Sequence, residues 1–188
     1  MYTGQMIEQP APGPQVMSVP VMQAPQQQQE KPKAPPKSKK EDLSSFVQKL
    51  IALAAYVHQL QIQSHLIHFN YECSNFLSIH KLLKKQYEKH QDQFDVIGEY
   101  IRSLDYYLPM CHDGLMSASP EFKHCTTYEP KKMLMVYYKN LEELGMKCKK
   151  MAPIAEKIGA LDVENYLAEL LGEAFKDAWM IKATLRNS

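Results

Sequence analysis

The chain has 188 residues, 45% of them hydrophobic and 23% charged, enough for one domain with a real core. Its four cysteines make no C-x-x-C pair and no apolar run reaches signal-peptide or membrane-spanning length, which excludes cysteine-built zinc modules and transmembrane classes and predicts reduced thiols in the cytoplasm. The net charge of +1 is split, with +3 on residues 1–40 and −2 on residues 41–188.

The first 40 residues hold eight of the twelve prolines, eight glutamines and one aromatic residue, Tyr2. Such a segment buries too little apolar surface to offset its ordering entropy, so the sequence predicts a disordered tail over 1–40 ahead of a folded body over 41–188. The tail ends in KPKAPPKSKK, where Lys31, Lys33, Lys37, Lys39 and Lys40 alternate with prolines. An extended cation of this kind neutralises phosphates without reading bases, so non-specific DNA is an expected partner. The plainer alternative is a solubilising tail.

The body reads as helix throughout. From Asp42 to about Asn70, Leu43, Phe46, Val47, Leu50, Ala54, Val57 and Leu60 form a helical stripe. Ser74 or Asn75 is placed to cap a second helix running to about Leu104, with Phe76, Leu83, Tyr87, Phe94, Ile97, Ile101 and Leu104 inward. A third stripe carries Leu134, Tyr137, Leu141, Leu144, Cys148 and Ile158; Pro153 should bend it and Gly159 should stop it. The fourth carries Leu167, Leu170, Leu171, Ala174, Ala178, Ile181 and Leu185. Short first and third connections make two antiparallel hairpins. The second connection, roughly 105–129, is a long crossover in which DGLMSA (113–118) suits a short extra helix. The expected fold is therefore all-α, a four-helix bundle of the ferritin-like form with one long crossover.

Histidines and carboxylates supply the candidate chemistry. Asp95 and Glu99 are spaced i, i+4 and share a helix face. His80 lies fifteen residues before Asp95 on the same helix, about 22 Å along the axis, so one ion cannot touch both ends. Two copies of the helix packed antiparallel about a two-fold axis near Lys89–His90 bring residue 80 of one to residue 99 of the other, and 84 to 95. The spacing thus predicts two equivalent sites in an isologous dimer. His68 can join His80 because the first two helices are adjacent, and His65, one turn earlier, is a further candidate ligand. His58, His90, His112 and His124 read as ordinary surface histidines, and Glu121-x-x-His124 as an unpaired motif in the crossover.

The stretch His68-Phe-Asn, a second His twelve residues on at His80, then Asp95-x-x-x-Glu99, resembles the signature of the Dps proteins (DNA-binding proteins from starved cells), the miniferritins. The likeness runs from about Asp42 to Leu185 and includes AWMIKATL (178–185), similar to the family's last helix with its Trp. The resemblance implies a shell of twelve subunits around an iron core, a homo-oligomer with sites shared across two-folds. It implies ferroxidase activity, preferably with hydrogen peroxide, using His68 and His80 from one chain and Asp95 and Glu99 from the other. It further implies protection of DNA from oxidative damage, nucleoid association as an extension of a cytoplasmic location, and an acidic three-fold pore near Glu156, Asp162 and Glu164. Imidazole and carboxylate ligands suit iron.

Two departures stand out. Phe69 replaces the family's Trp and keeps an aromatic wall. Lys84 replaces its bridging Asp, deletes a ligand and sets an ammonium beside the expected metal. The alternative reading is therefore a catalytically silent shell with a structural or nucleic-acid-coating role.

Overall fold

The computed structural model describes residues 39–186, with side chains described from residue 42. The predicted tail and its Lys31, Lys33 and Lys37 lie outside the described residues. Lys39 and Lys40 are described only as the backbone that opens the first helix.

Five helices and no strand occupy the described residues: α1 (Lys39–Asn70), α2 (Phe76–Ser103), α3 (His112–Met116), α4 (Pro130–Ile158) and α5 (Leu161–Leu185). The all-α bundle with a long crossover is thus observed, and α3 overlaps the 113–118 stretch expected to supply an extra helix, starting one residue earlier. α1 packs on α2 and on α4, and α4 on α5, so two hairpins make the bundle. The predicted stripes face inward: Phe46, Leu50 and Leu60 of α1, Leu83 and Ile97 of α2, Leu134, Leu141 and Leu144 of α4, and Leu167, Leu170 and Ile181 of α5 are all buried. Each such side chain is worth about 1.5–3 kcal/mol relative to exposure.

α1 is buried well beyond its stripe. Leu53, Ala55 and Tyr56 are also at or below 1% exposure, because the crossover covers the side that the hairpins leave open. Buried amides fasten that crossover. Gln59 Nε2 donates to Ser119 O (3.2 Å), Gln63 Nε2 to Lys123 O (2.9 Å), and Asn140 Nδ2 to Lys123 O (2.8 Å) and Gln63 Oε1 (2.9 Å). Phe122 of the crossover packs edge-on against Tyr56, ring centres 5.0 Å apart.

The helix ends follow local chemistry, with one correction. Asn75 is the N-cap of α2, but its side chain caps nothing; Asn75 Oδ1 accepts from Tyr71 Oη at 2.7 Å instead. Gly159 ends α4 at φ 82°, a left-handed conformation that glycine takes without steric cost. α4 continues through Pro153 to Ile158. Asp162 and Glu164 lie in the first turn of α5, where the helix dipole favours negative charge.

Candidate functional site

The α1–α2 turn sets the two histidines. α1 ends at Asn70 and α2 begins at Phe76, which brings the last turn of one helix beside the first turns of the other. His68 and His80 stack there, ring centres 3.6 Å apart and planes 21° from parallel. Each ring is held by the other's backbone: His68 Nδ1 lies 2.9 Å from His80 O, and His80 Nδ1 lies 3.1 Å from His68 O. A carbonyl oxygen only accepts, so both Nδ1 atoms carry hydrogen, and in the neutral ring it is Nε2 that keeps the lone pair. Fixing a ring by its second nitrogen is how proteins aim an imidazole at a metal. Burial holds His68 below its ordinary pKa against the raising effect of the His80 carbonyl, and His80, His65 and Lys84 add to the depression. The ring is therefore neutral and ligand-ready at pH 7.

Aromatic rings wall this pair. His65 stacks on Tyr87 at 3.9 Å and on Phe69 at 4.7 Å; Tyr87 also meets His68 edge-on at 5.4 Å. His65 is thus wedged between rings one turn from His68, and Phe69 is 66% exposed, an aromatic wall facing outward.

The acidic pair occupies the far half of α2. Asp95 and Glu99 are exposed and line one shallow depression with Phe94, Gly98, Arg102 and Leu108. Among the described residues no three His, Cys, Asp or Glu side chains of the single chain gather closely enough to hold a metal ion. One protomer brings the two histidines together and the two carboxylates together, and leaves the two halves apart along α2.

Lys84 is exposed on α2 and pairs with Glu88 at 3.7 Å, a partner not anticipated from the sequence. The region expected to mark the two-fold needs correction in its side chains. His90 is fully buried and Lys89 turns inward to pair with Asp177, itself 3% exposed. The exposed stripe of α2 is Lys81, Lys84, Glu88, Asp95 and Glu99.

His90 is likewise not a surface histidine. Gln93 Nε2 donates to Glu173 Oε2 (2.6 Å), so Gln93 Oε1 faces His90 and accepts from its Nδ1–H (2.8 Å). Nε2 of His90 must then accept, and the Tyr137 hydroxyl is 2.8 Å away and also 3.0 Å from the Gln86 amide. A hydrogen-bonded network thus joins α2, α4 and α5 within the otherwise apolar interior of the bundle. Its sequence signal was the inward phase of Gln86, His90 and Gln93 on α2, hidden because polar residues do not register in an apolar stripe.

The other expected residues separate. Glu156, Asp162 and Glu164 gather at the α4–α5 turn, the first two exposed. Glu121 is bound by Lys147 and Ser119, and His124 packs edge-on against Phe122, so they form no ligand pair. All four cysteines are free thiols, and among the described residues no helix is long and apolar enough to cross a membrane.

The family model for the ferritin-like domain matches residues 47–188. No curated protein matches the chain in sequence. Among solved structures, antigen TpF1 of Treponema pallidum superposes with a TM-score of 0.73 at 22% identity, over 81% of this chain and 99% of that one. The Dps protein of Vibrio cholerae O1, described as a member of a broad superfamily of ferritin-like diiron-carboxylate proteins, gives 0.71 at 17% identity over 77% and 91%. Dps from Thermosynechococcus elongatus gives 0.74 at 16% over 78% and 94%. At these identities the likeness is one of fold.

Proposed function

The chain belongs to the ferritin-like family and shares the fold of Dps proteins, and from that premise we propose that it oxidises ferrous iron, preferably with hydrogen peroxide, and stores the ferric product inside a hollow homo-oligomeric shell. Iron is the substrate. His68 and His80 of one protomer bind it together with Asp95 and Glu99 of the neighbour, across a two-fold where the exposed stripes of α2 meet. The observation that carries this reading is the reciprocal hold of His68 and His80, which leaves two Nε2 lone pairs side by side with no carboxylate of their own chain to complete a site.

Two nitrogens and two carboxylate oxygens suit iron and stabilise its ferric state. In the overall reaction two ferrous ions each give one electron to hydrogen peroxide, its O–O bond breaks, and two protons complete two waters. Electron-paired reduction of this kind releases no hydroxyl radical, the chemical sense in which such a shell protects DNA. Tails bearing Lys31, Lys33, Lys37, Lys39 and Lys40, twelve to a dodecameric shell, would add avidity to a weak non-specific contact with DNA. Glu156, Asp162 and Glu164 are the residues proposed to lead cations through a three-fold pore.

Lys84 favours a second reading. Its ammonium lies on the exposed stripe between the two halves of the site, where it can pair with a neighbour's carboxylate and hold the dimer without metal. That describes a silent shell that coats nucleic acid or has a structural role. One experiment separates the two. Ferrous salt is added anaerobically to the pure full-length protein, peroxide follows, and ferric absorbance and particle density are measured. Prompt oxidation with a mineral core retained in a large particle supports the ferroxidase reading. A large particle that gains no core and oxidises ferrous ion no faster than buffer alone supports the silent shell, and a stable monomer rules out both.

A further inference from the structure

Among the described residues, one buried side-chain nitrogen or oxygen lacks a hydrogen bond: Nδ1 of His58. Buried polar atoms without a partner are rare enough that each calls for an explanation. The surroundings supply one. The His58 ring lies on α1 against Phe94 of α2, ring centres 5.2 Å apart. Its other neighbour is a second imidazole: His112, the first residue of α3, stands edge-on at 6.2 Å and 73°.

We propose that His58 and His112 form a site for a divalent transition-metal ion of the zinc, cobalt or ferrous class, with the orphaned nitrogen of His58 as the inner ligand.

With metal–nitrogen bonds of about 2.0–2.1 Å, two imidazoles on one ion have their ring centres roughly 5–6 Å apart. The observed 6.2 Å lies just beyond that range, so one ring must move inward to close the site. Such a shift is cheap on the α3 side. α3 has five residues inside a crossover, and His112 is exposed, so water can complete the coordination shell. Nitrogen donors select this class of ion over magnesium or calcium, which require oxygen. Burial keeps His58 below its ordinary pKa despite an opposing contact with Gln61, and His112 pushes the same way, so the inner ligand is neutral at pH 7.

This site is distinct from the candidate site at the α1–α2 turn. His58 precedes His68 by ten residues, about 15 Å along α1. It neighbours the acidic half instead, since Phe94 both packs against His58 and lines the depression of Asp95 and Glu99.

Cobalt(II) is the probe, because imidazole-bound cobalt absorbs visibly while hydrated cobalt barely does. The full-length protein is titrated beside three variants: His112→Ala, His58→Gln, and the double variant His80→Ala/Glu99→Gln, which removes a ligand from each half of the other site. The expected result is that the parent and the double variant both bind cobalt with the imidazole spectrum, and that His112→Ala loses one equivalent per chain with its absorbance. His112 is exposed, so its replacement is readable even should His58→Gln unfold. The proposal is overturned if the parent shows no such spectrum, if His112→Ala loses neither an equivalent of cobalt nor any of the absorbance, or if the double variant loses all of it.

Discussion

Substitution of Lys84 probes the electrostatics of the shared site with little disturbance of the protomer. Its ion pair with Glu88 spans 3.7 Å, with side chains 58% and 54% exposed, and an exposed i, i+4 pair contributes only about 0.3–0.5 kcal/mol. Its charge nonetheless reaches the site, being one of those that depress the pKa of His68 after burial, His80 and His65. Were the ammonium about 6 Å from a bound divalent ion, its repulsion at an effective dielectric of roughly 40–80 would be about 1.5–3 kcal/mol. Lys84→Ala removes that repulsion and should tighten ferrous binding about 10–100-fold, since ~1.4 kcal/mol is a factor of ten. Lys84→Asp reverses the charge and adds an oxygen that can bridge two irons, so it should bind more tightly still. The assay is anaerobic ferrous titration, then the initial rise of ferric absorbance after peroxide. The expected order of both affinity and rate is Lys84→Asp, then Lys84→Ala, then parent, with His80→Ala inactive. If Lys84→Asp is no faster than the parent and His80→Ala is equally unchanged, whatever oxidation occurs lies elsewhere and the reasoning fails.

Two further expectations follow from the same structure and a third from the sequence of the tail. Tyr137→Phe leaves the buried Nε2 of His90 without its donor and should lower unfolding free energy by about 1–3 kcal/mol in denaturant melts, and an unchanged midpoint would contradict the network described. Burial holds His90 down at about 4 against the Gln93 hydrogen bond, with Lys89 lowering it and Asp177 opposing. Because the folded value lies below the unfolded one near 6.5, the stability it confers is complete above about pH 6.5 and is lost as pH falls toward 4, by up to roughly 3 kcal/mol. Melts across that window should show the decline and His90→Gln should flatten it; equal slopes would contradict the assignment. Deleting residues 1–40 should leave particle size unchanged while abolishing low-salt DNA retardation, and retardation that survives the deletion would place DNA binding outside the tail.

The helices were legible because apolar spacing alone places Leu50, Leu83, Leu141 and Leu170 inward, and the proline-bearing 105–129 stretch forced a crossover. What escaped was polar. Gln59, Gln63 and Asn140 hold the crossover by amide bonds to backbone oxygens of residues 60, 60 and 17 positions away, a pairing that no local pattern encodes. His90 was misread because a polar residue on an apolar face is visible as core only when its partners, Gln93 and Tyr137, are seen together. The pairing of His68 with His80 followed from helix adjacency, but their mutual backbone hydrogen bonds depend on the turn geometry at 71–75. Phe69 and Lys84 were legible as departures from a known pattern, while the partner of Lys84, Glu88, was open to reading from its i, i+4 spacing and was missed.

Whether one site is built by two chains is read from complementation in the Lys84→Asp background. His80→Ala chains and Glu99→Gln chains are made separately and co-expressed. Each alone should be inactive, since every site has lost a ligand. In a mixed dimer one site carries both defects and the other carries none. Random mixing therefore restores about one quarter of the sites, and the co-expressed protein should recover about that fraction of ferrous oxidation. Activity no higher than that of the separate variants, in particles shown by mass to contain both chains, would mean that His80 and Glu99 act within one chain or not at all.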